Sequence, residues 1–265
     1  MFDFILAHEA AVRVCAFAGV LAALLVLEAL LPRRGGDRLR RLRWGANLPM
    51  VVAGALLVRM VLPLGAAGVA LWARQQGVGL FNVLAVPNTI AEIASFLALD
   101  AAIYGQHRLF HRVPAFWRIH RMHHSDVEFD ATTALRFHPL EIALSMGIKL
   151  AVVIALGAPP VIVILFEIAL NATAMFNHSN IALPLVLDRA LRRLLVTPDM
   201  HRVHHSTQPR EYNRNFGFNL SWWDRLFGSY TDQPEGGHAA MAIGLPEFRD
   251  APEQTFTALL LQPLK

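Results

Sequence analysis

Long apolar runs, separated by short basic or histidine-rich segments, dominate the hydropathy pattern of this chain. The runs cover residues 11 to 32, 47 to 73, 87 to 106 and 140 to 176, and the last is interrupted by Gly157-Ala-Pro-Pro160. A helix of roughly 20 apolar residues spans the bilayer core, about 30 Å thick. Because proline and glycine end helices, we expect the last run to form a helical hairpin. The pattern predicts an all-α membrane bundle with about four to five membrane-embedded helices.

The composition supports a membrane protein. Hydrophobic residues make up 55% of the 265 residues and charged residues only 17%, with a mean hydropathy of +0.40. This is too apolar for an ordinary soluble domain, and the length suits one membrane-embedded domain over residues 1–265. The net charge of +4 is concentrated next to the apolar runs, which favours anionic lipid headgroups. Since no nucleic-acid-binding motif accompanies it, we expect no nucleic acid partner.

Charge also predicts the orientation. A cluster of arginines follows the first apolar run directly: Arg33, Arg34, Arg38, Arg40, Arg41 and Arg43. The positive-inside rule places this loop in the cytoplasm and the N-terminus outside. Two further runs return the chain inward, so we expect the histidine segments to form a cytoplasmic cap, at the cytoplasmic membrane if the source is bacterial. We expect residues 179–200 to lie along the interface and the tail from about residue 206 to cover the histidines.

Ionisable residues inside the runs predict two ion pairs, because charges in the bilayer tend to pair. Folding the last run about its turn brings Lys149 and Glu167 to a similar depth. Arg59 and Asp100 lie about equally far from the loop between the second and third runs. We therefore expect each couple to be close in space.

Histidines carry the strongest chemical signal. Ten of the twelve lie between His107 and His205, and eight form three clusters. The clusters are HRLFH, HRMHHS and HRVHHS, which contain His107 and His111; His120, His123 and His124; and His201, His204 and His205. On a helix, residues three and four apart share a face, so each cluster can converge on one point. Left without metal, buried imidazole nitrogens would cost about 1–3 kcal/mol for each unpaired group. Eight such side chains suffice for two metal ions.

The ligand type limits the metal without selecting it. Imidazole suits zinc, copper and iron, and the HExxH pattern of many metalloproteases is absent from the sequence. The single cysteine, Cys15, excludes disulfides, Cys-ligated zinc and iron–sulfur clusters within the chain. Each ligating histidine needs an acceptor that fixes its tautomer. The acidic residues close to the clusters are the candidates: Asp126, Asp130, Asp199 and Asp224.

Several motifs together resemble the fatty acid hydroxylase / sterol desaturase superfamily of membrane histidine-box oxygenases. They are HRLFH, HRMHHS, TALRFHPLE (Thr133–Glu141), FNHSN (Phe176–Asn180), TPDMHRVHH (Thr197–His205) and NFGFNLSWWDRLFGSY (Asn215–Tyr230). The resemblance covers a core of about residues 87–230, with the motifs in the family's order. It implies a membrane-embedded non-haem enzyme with two iron ions, for which zinc could substitute in a purified form.

The resemblance also implies the ligands. The boxes HxxxH, HxxHH and HxxHH assign the eight clustered histidines to the metals, and His178 matches an additional family histidine that we include as a ligand. His138 is a candidate ligand or supporting residue, as are Asp199 and Asp224 for the supporting shell. His8 and His238 lie outside every motif and are expected at the surface.

The expected activity is hydroxylation of an unactivated C–H bond of a fatty-acyl or sterol-like lipid with O2. A lipid desaturase would use the same residues, whereas a zinc-dependent membrane hydrolase would need a general base and no reductant. A metal transporter is the third alternative, but it would place its ligands along a pore. Because no cytochrome b5-like domain is evident in the sequence, the resemblance implies a separate electron donor such as a ferredoxin, a cytochrome b5-like protein or a reductase.

Overall fold

The computed structural model describes residues 2–265, which form helices joined by turns and short irregular segments. Within these residues extended backbone pairs only at isolated bridges, so the predicted all-α fold is confirmed. The α-helices are α1 Phe2–Ala7, α2 Glu9–Leu30, α3 Arg40–Val61, α4 Gly65–Gln75, α5 Leu80–Val83, α6 Asn88–Arg112, α7 Pro114–His124, α8 Pro139–Leu156, α9 Pro160–Asn177, α10 Leu185–Leu191, α11 Pro198–His204, α12 Pro209–Tyr212, α13 Trp222–Leu226, α14 Gly237–Ala240 and α15 Phe256–Leu261. The 3₁₀ helices are Ala131–Leu135, Ala251–Gln254 and Gln262–Leu264.

Four segments of the described chain are long and apolar enough to cross a membrane: Glu9–Leu30, Arg40–Val83, Pro139–Leu156 and Pro160–Asn177. They make the chain an integral membrane protein and agree with the expected number of embedded helices. Helix α6, which the sequence suggested as a further span, is not among them. Its Asn88, Glu92 and Asp100 lower its hydropathy. The cytoplasmic placement of the histidines stays a prediction from the charge distribution.

The hairpin of α8 and α9 forms where the sequence predicted it. Helix α8 ends at Gly157, whose φ of 67° is in the left-handed region, and Pro160 begins α9. Gly79, with φ of 103°, approaches this turn so closely that a Cβ on it would lie 2.2 Å from Gly157 N. The two glycines therefore let the segment after α4 cross directly over the tip of the hairpin.

The hairpin also forms the centre of the bundle. Helix α3 packs on α8, α2 packs on α9, and α4 and α6 contact both. The buried face of α4 consists of Ala66, Ala67, Ala70 and Ala73. Small side chains allow helix backbones to approach closely in a membrane bundle. Leu99, Val153 and Phe166 are among the larger side chains that complete the core.

One of the two expected ion pairs is present. The Lys149 ammonium contacts one oxygen of Glu167, so this prediction is confirmed. Arg13 of α2 binds the other Glu167 oxygen, with its Nη2 atom 2.6 Å from Oε2. A carboxylate in the apolar bundle is thus paired with two cations from neighbouring helices.

The second expected pair is wrong. Arg59 donates to the carbonyl oxygen of Pro63 at the end of its own helix, 2.9 Å away. Asp100 instead accepts hydrogen bonds from Asn219 Nδ2 and Trp223 Nε1, each at 2.8 Å. Similar depth does not bring two residues together when their helices present different faces, and here the polar tail folds back to reach Asp100.

Buried hydrogen bonds attach the segments after α7 and α9 to the end of helix α2. Glu28, near the end of α2, accepts hydrogen bonds from Ala131 N and Asn180 N, both at 2.7 Å with the same oxygen. This carboxylate holds the segment after α7 and the segment after α9 against one helix end. The histidines lie close by in the chain, since His178 directly follows α9 and the HRMHHS box ends α7 just before the first of these segments.

Candidate metal centre

The nine histidines expected as ligands come together in two adjacent groups. In each group the candidate ligand atoms lie within 4.8 Å of one another. The five-histidine group contains His107, His111, His120, His124 and His204. The four-histidine group contains His123, His178, His201 and His205. All are buried except the partly buried His111, so the centre lies inside the protein.

Each of the two repeated boxes contributes to both groups. On α7, His120 and His124 are four residues apart and join the five-histidine group, while His123 joins the other. At α11 the assignment is reversed. His201 and His205 join the four-histidine group, and His204 joins the five-histidine group. Adjacent residues on a helix point about 100° apart. The HxxHH spacing therefore divides one box between two sites and keeps those sites side by side.

Backbone carbonyls fix the tautomers of two histidines in the five-histidine group. His107 Nδ1 lies 2.8 Å from Phe216 O, and His204 Nδ1 lies 2.6 Å from Arg214 O. Since a carbonyl only accepts, both Nδ1 atoms carry the proton and both Nε2 atoms present a lone pair. These Nε2 atoms face each other at 3.0 Å. Two lone pairs at this distance repel each other unless a cation lies between them.

The four-histidine group has the same arrangement around His178. Its Nδ1 donates to Ala174 O at 2.7 Å, which leaves the lone pair on Nε2. This Nε2 lies 3.1 Å from the Nε2 atoms of His123 and His205, and 3.2 Å from that of His201. One lone pair accepts one hydrogen bond, so at most one of these three rings can donate to His178. The other short contacts are not hydrogen bonds, and a cation among the four rings would satisfy them.

The spacing fits a metal ion in each group. Two nitrogens bound at right angles to one ion, each about 2.1 Å from it, are about 3.0 Å apart. The Nε2–Nε2 distances of 3.0 to 3.2 Å match this value. His120 Nε2 and His124 Nε2 are buried without any hydrogen-bond partner in the described residues, and a metal ion would satisfy both.

The electrostatic environment keeps the imidazoles neutral. Burial, reinforced by the neighbouring imidazoles, holds the pKa well below its usual value in His123, His124, His201, His204 and His205. Neutral imidazole is the form that binds a metal ion. The groups are thus available as ligands at neutral pH without prior loss of protons.

Glu141 is a supporting residue that the sequence did not assign. Its Oε1 atom lies 2.7 Å from His120 Nδ1, and both side chains are buried. A carboxylate behind a metal-binding histidine fixes the ring and raises its basicity. The available signal was its position in the FHPLE motif, but its partner lies on another helix.

Asp224 supports the metal centre indirectly, through the backbone segment that binds His107. Its carboxylate accepts hydrogen bonds from Phe216 N at 2.8 Å and Gly217 N at 2.9 Å. It thereby holds the peptide whose carbonyl oxygen accepts the hydrogen bond from His107 Nδ1. A Cβ on Gly217 would lie 2.8 Å from Asp224 Oδ2, so only glycine fits this close contact.

The other two candidates, Asp199 and His138, lie outside both groups. Asp199 forms ion pairs with Arg33 and Arg202. His138 caps the start of α8 by accepting from Leu140 N, and its Nε2 lies 3.1 Å from a carbonyl of α15. Contrary to expectation, His238 is buried: its exposed fraction is 4%, because the tail folds it against Asp199. His8 is exposed, as expected.

A mostly apolar cavity of about 320 Å³ reaches the five-histidine group. His107 and His120 are among its lining residues, and the other walls come mainly from α2, α3, α6, α8 and α9. A second cavity of about 260 Å³ between α2 and α9 shares Phe17 and Asn171 with the first. Phe216 and Phe218 of the tail contact His107 with ring centroids 5.5 and 5.0 Å away, so the tail covers the histidines as predicted.

Several known proteins are similar to this chain in sequence. Ornithine lipid hydroxylase OlsE of Rhizobium tropici is 28% identical over 160 residues, covering 59% of this chain and 46% of that protein. Human (Homo sapiens) alkylglycerol monooxygenase is 30% identical over 145 residues, covering 54% of the chain and 31% of that enzyme. Fatty acid hydroxylase vlmA of a Lecanicillium species is 32% identical over 216 residues, covering 74% and 54%. The chain thus spans about half the length of these relatives or less. No solved structure matches it significantly.

The family comparison agrees with the motifs. The fatty acid hydroxylase family model matches residues 93–229, more than half of the chain. This segment contains every histidine of the two groups. The chain belongs to the fatty acid hydroxylase family.

Proposed function

We propose that this chain is a membrane di-iron oxygenase that hydroxylates an unactivated C–H bond of a lipid, using O2 and electrons from a separate protein. The observation that carries the proposal is the meeting of His107 Nε2 and His204 Nε2 at 3.0 Å, with both protons held on Nδ1. A cation bound by both nitrogens would turn this repulsive contact into a stable one. The second group repeats it, which supports two ions.

Iron is the metal that agrees with the relatives' activity. An all-imidazole donor set accepts zinc, copper or iron, and the relatives are named hydroxylases and monooxygenases. When bound, iron would supply the redox chemistry with dioxygen that zinc lacks. We assign the nine histidines as ligands, while Glu141 and the Phe216 and Arg214 carbonyls hold the rings in position.

The cavity supports a lipid substrate. Its apolar walls suit an acyl or alkyl chain, and pockets of roughly 300–1,000 Å³ are usual for small-molecule sites. Four helices that form the cavity walls cross the membrane: α2, α3, α8 and α9. The acyl or alkyl chain of a lipid could therefore enter the cavity from the bilayer. Ile142 and Leu170 would contact the chain and exclude water, with the reacting carbon beside His107 and His120.

Hydroxylation is preferred to desaturation. Hydroxylation converts RH, O2, two electrons and two protons into ROH and water, and only one C–H bond is broken. Desaturation requires a second hydrogen to be removed from the neighbouring carbon. The names of the relatives support the former. The geometry of the bound chain would decide between these outcomes.

The test is metal analysis combined with isotope incorporation. The full chain is purified in lipid nanodiscs, its iron and zinc are quantified, and reduced enzyme is supplied with ¹⁸O₂ and membrane lipids. We expect close to two irons per chain and ¹⁸O in a lipid hydroxyl group. A zinc-loaded protein that consumes no O2 but cleaves lipids would refute the proposal in favour of a hydrolase.

We further propose that residues 1–265 act as one membrane domain, with the histidines on the cytoplasmic side and the N-terminus outside. The arginine cluster after α2 supports this orientation. Reporter fusions at the two ends of the chain would test it. A cytoplasmic N-terminus would reverse the proposed orientation.

A further inference from the structure

A stacked pair of aromatic side chains lies between the five-histidine group and the surface. The rings of Trp117 and Tyr212 have centroids 5.5 Å apart and planes 10° apart. Trp117 also lies 5.0 Å from His111 and 5.4 Å from His124, measured between ring centroids. Both aromatic side chains are half-buried. Neither the indole N–H nor the phenol O–H makes a hydrogen bond within residues 2–265.

Trp117 and Tyr212 bring readily oxidised aromatic rings into contact with His111 and His124 of the five-histidine group. The other non-histidine rings that contact the two groups, over the described chain, are phenylalanines: Phe110, Phe129, Phe137, Phe216 and Phe218. Phenylalanine is apolar and resists oxidation, whereas indole and phenol lose an electron far more readily. The stacked pair therefore differs in chemistry from the rest of the cover.

The surface around the pair is basic. Arg112 and Arg118 flank Trp117 in the sequence, are exposed, and form no ion pair or hydrogen bond with any described residue. Arg214, two residues after Tyr212, is also exposed. Glu247 is the acidic neighbour that acts on Tyr212, where burial and this carboxylate raise the pKa of the phenol. Unpaired surface arginines attract an acidic partner and accelerate its approach.

We propose that the face formed by Trp117, Tyr212, Arg112 and Arg118 is the docking site of an acidic one-electron donor protein, and that the stacked rings lie on the electron path to the five-histidine group. The inference rests on the proposed function, which consumes two electrons per turnover. In each encounter the donor would lose one electron, and a metal held by the five-histidine group would gain it. Two encounters supply one hydroxylation, with two protons taken from water. Transient electron-transfer complexes bury little surface, which a small charged face can provide.

Docking is tested as binding to the full chain as purified, without turnover, so the result does not depend on catalysis. The full chain in phosphatidylcholine nanodiscs is titrated with a small acidic [2Fe–2S] ferredoxin and, separately, with an acidic cytochrome b5 domain. We expect at least one to bind at low salt and to weaken as salt rises. The double variant Arg112→Glu/Arg118→Glu should raise Kd by about tenfold or more. The control Arg38→Glu/Arg41→Glu reverses the same charge at exposed arginines elsewhere and should leave Kd unchanged.

The electron path is tested on metal-loaded protein. Trp117→Phe keeps a ring in the stack and should slow reduction of the centre by the bound donor about tenfold, while reduction by dithionite, a small reagent, stays at the wild-type rate.

Three results would overturn the inference: no binding of either donor to the wild-type protein, equal effects of the two double variants, or unchanged reduction in Trp117→Phe. A wild-type protein that binds no iron and hydroxylates nothing with dithionite would instead contradict the proposed function. Binding to anionic vesicles but to neither donor would identify the arginine face as a lipid contact.

Discussion

Glu141 Oε1 lies 2.7 Å from His120 Nδ1, although the residues are 21 positions apart and belong to different helices. Helix α7 supplies the imidazole and the first turn of α8 supplies the carboxylate. The second carboxylate oxygen of Glu141 is buried without a partner in the described residues, and the side chain lines the apolar cavity. One membrane helix thus both orients a candidate ligand and forms a wall of the cavity.

Removing this carboxylate should weaken metal binding. Glu141→Ala frees the His120 ring to rotate and lowers its basicity, so we expect metal affinity or activity to fall about 10–100-fold. Glu141→Gln keeps an acceptor oxygen and should lose less. Competition titration with a chelator measures the affinity. Glu92→Ala on α6, a carboxylate without a hydrogen bond in the described residues, is the control, and an equal loss there would contradict the orienting role.

The division of the boxes predicts which site each histidine serves. His123→Ala should deplete the four-histidine group, whereas His204→Ala should deplete the five-histidine group. In either variant we expect bound metal to fall from about two ions toward one per chain and hydroxylation to be lost, because we assign each of these histidines to one ion. Metal analysis and product formation are the measurements. His8→Ala, an exposed histidine far from the boxes, should behave like wild type. Full turnover in either box variant would disprove the assignment.

Loss of Asp224 should lower the stability of the protein, because the tail segment that contacts the histidines loses its hydrogen bonds. Asp224→Ala leaves Phe216 N and Gly217 N unpaired in a buried site, at about 1–3 kcal/mol for each group. The same change frees the carbonyl that orients His107. Thermal unfolding in detergent measures stability, and Asp250→Ala, an exposed acid, is the control. If stability were unchanged, Asp224 would not hold this loop.

The sequence predicts which histidines lie together better than it predicts their neighbours. The i, i+3, i+4 spacing brings the imidazoles of each box close together, and all nine expected ligands lie in two adjacent groups. The division of each HxxHH box between the two groups was not predicted. Glu141 could not be matched to His120, because that contact depends on how α7 crosses α8. The Arg59–Asp100 prediction failed for a related reason: depth in the bilayer is readable from sequence, but helix rotation is not. His238 is buried only because a tail without a hydrophobic period folds back on Asp199.

The charges inside the bundle should differ in how much stability they provide. Glu167 pairs with both Lys149 and Arg13, so Glu167→Leu leaves two cations without their carboxylate partner in an apolar region. Breaking a buried ion pair by removing one partner costs roughly 3–5 kcal/mol. Lys149→Met should cost less, since Glu167 keeps Arg13. Unfolding curves of both variants in the same detergent test this order. The reverse order would mean that Arg13 does not compensate the carboxylate.

Filling the cavity should block the substrate and spare the metals. Ala55 of α3 lines the cavity that reaches His107 and His120, so Ala55→Phe inserts a ring where we place the lipid chain. Because no histidine or supporting acid is altered, metal content should stay at the wild-type value while kcat/KM falls at least about tenfold, the result expected when substrate binding is obstructed. Val52→Phe on the same helix, at an exposed position outside the cavity, is the matched control and should retain activity. If Ala55→Phe kept full activity on every lipid tested, the lipid chain would have to reach the histidines by another route, and the smaller cavity between α2 and α9 would be the next candidate.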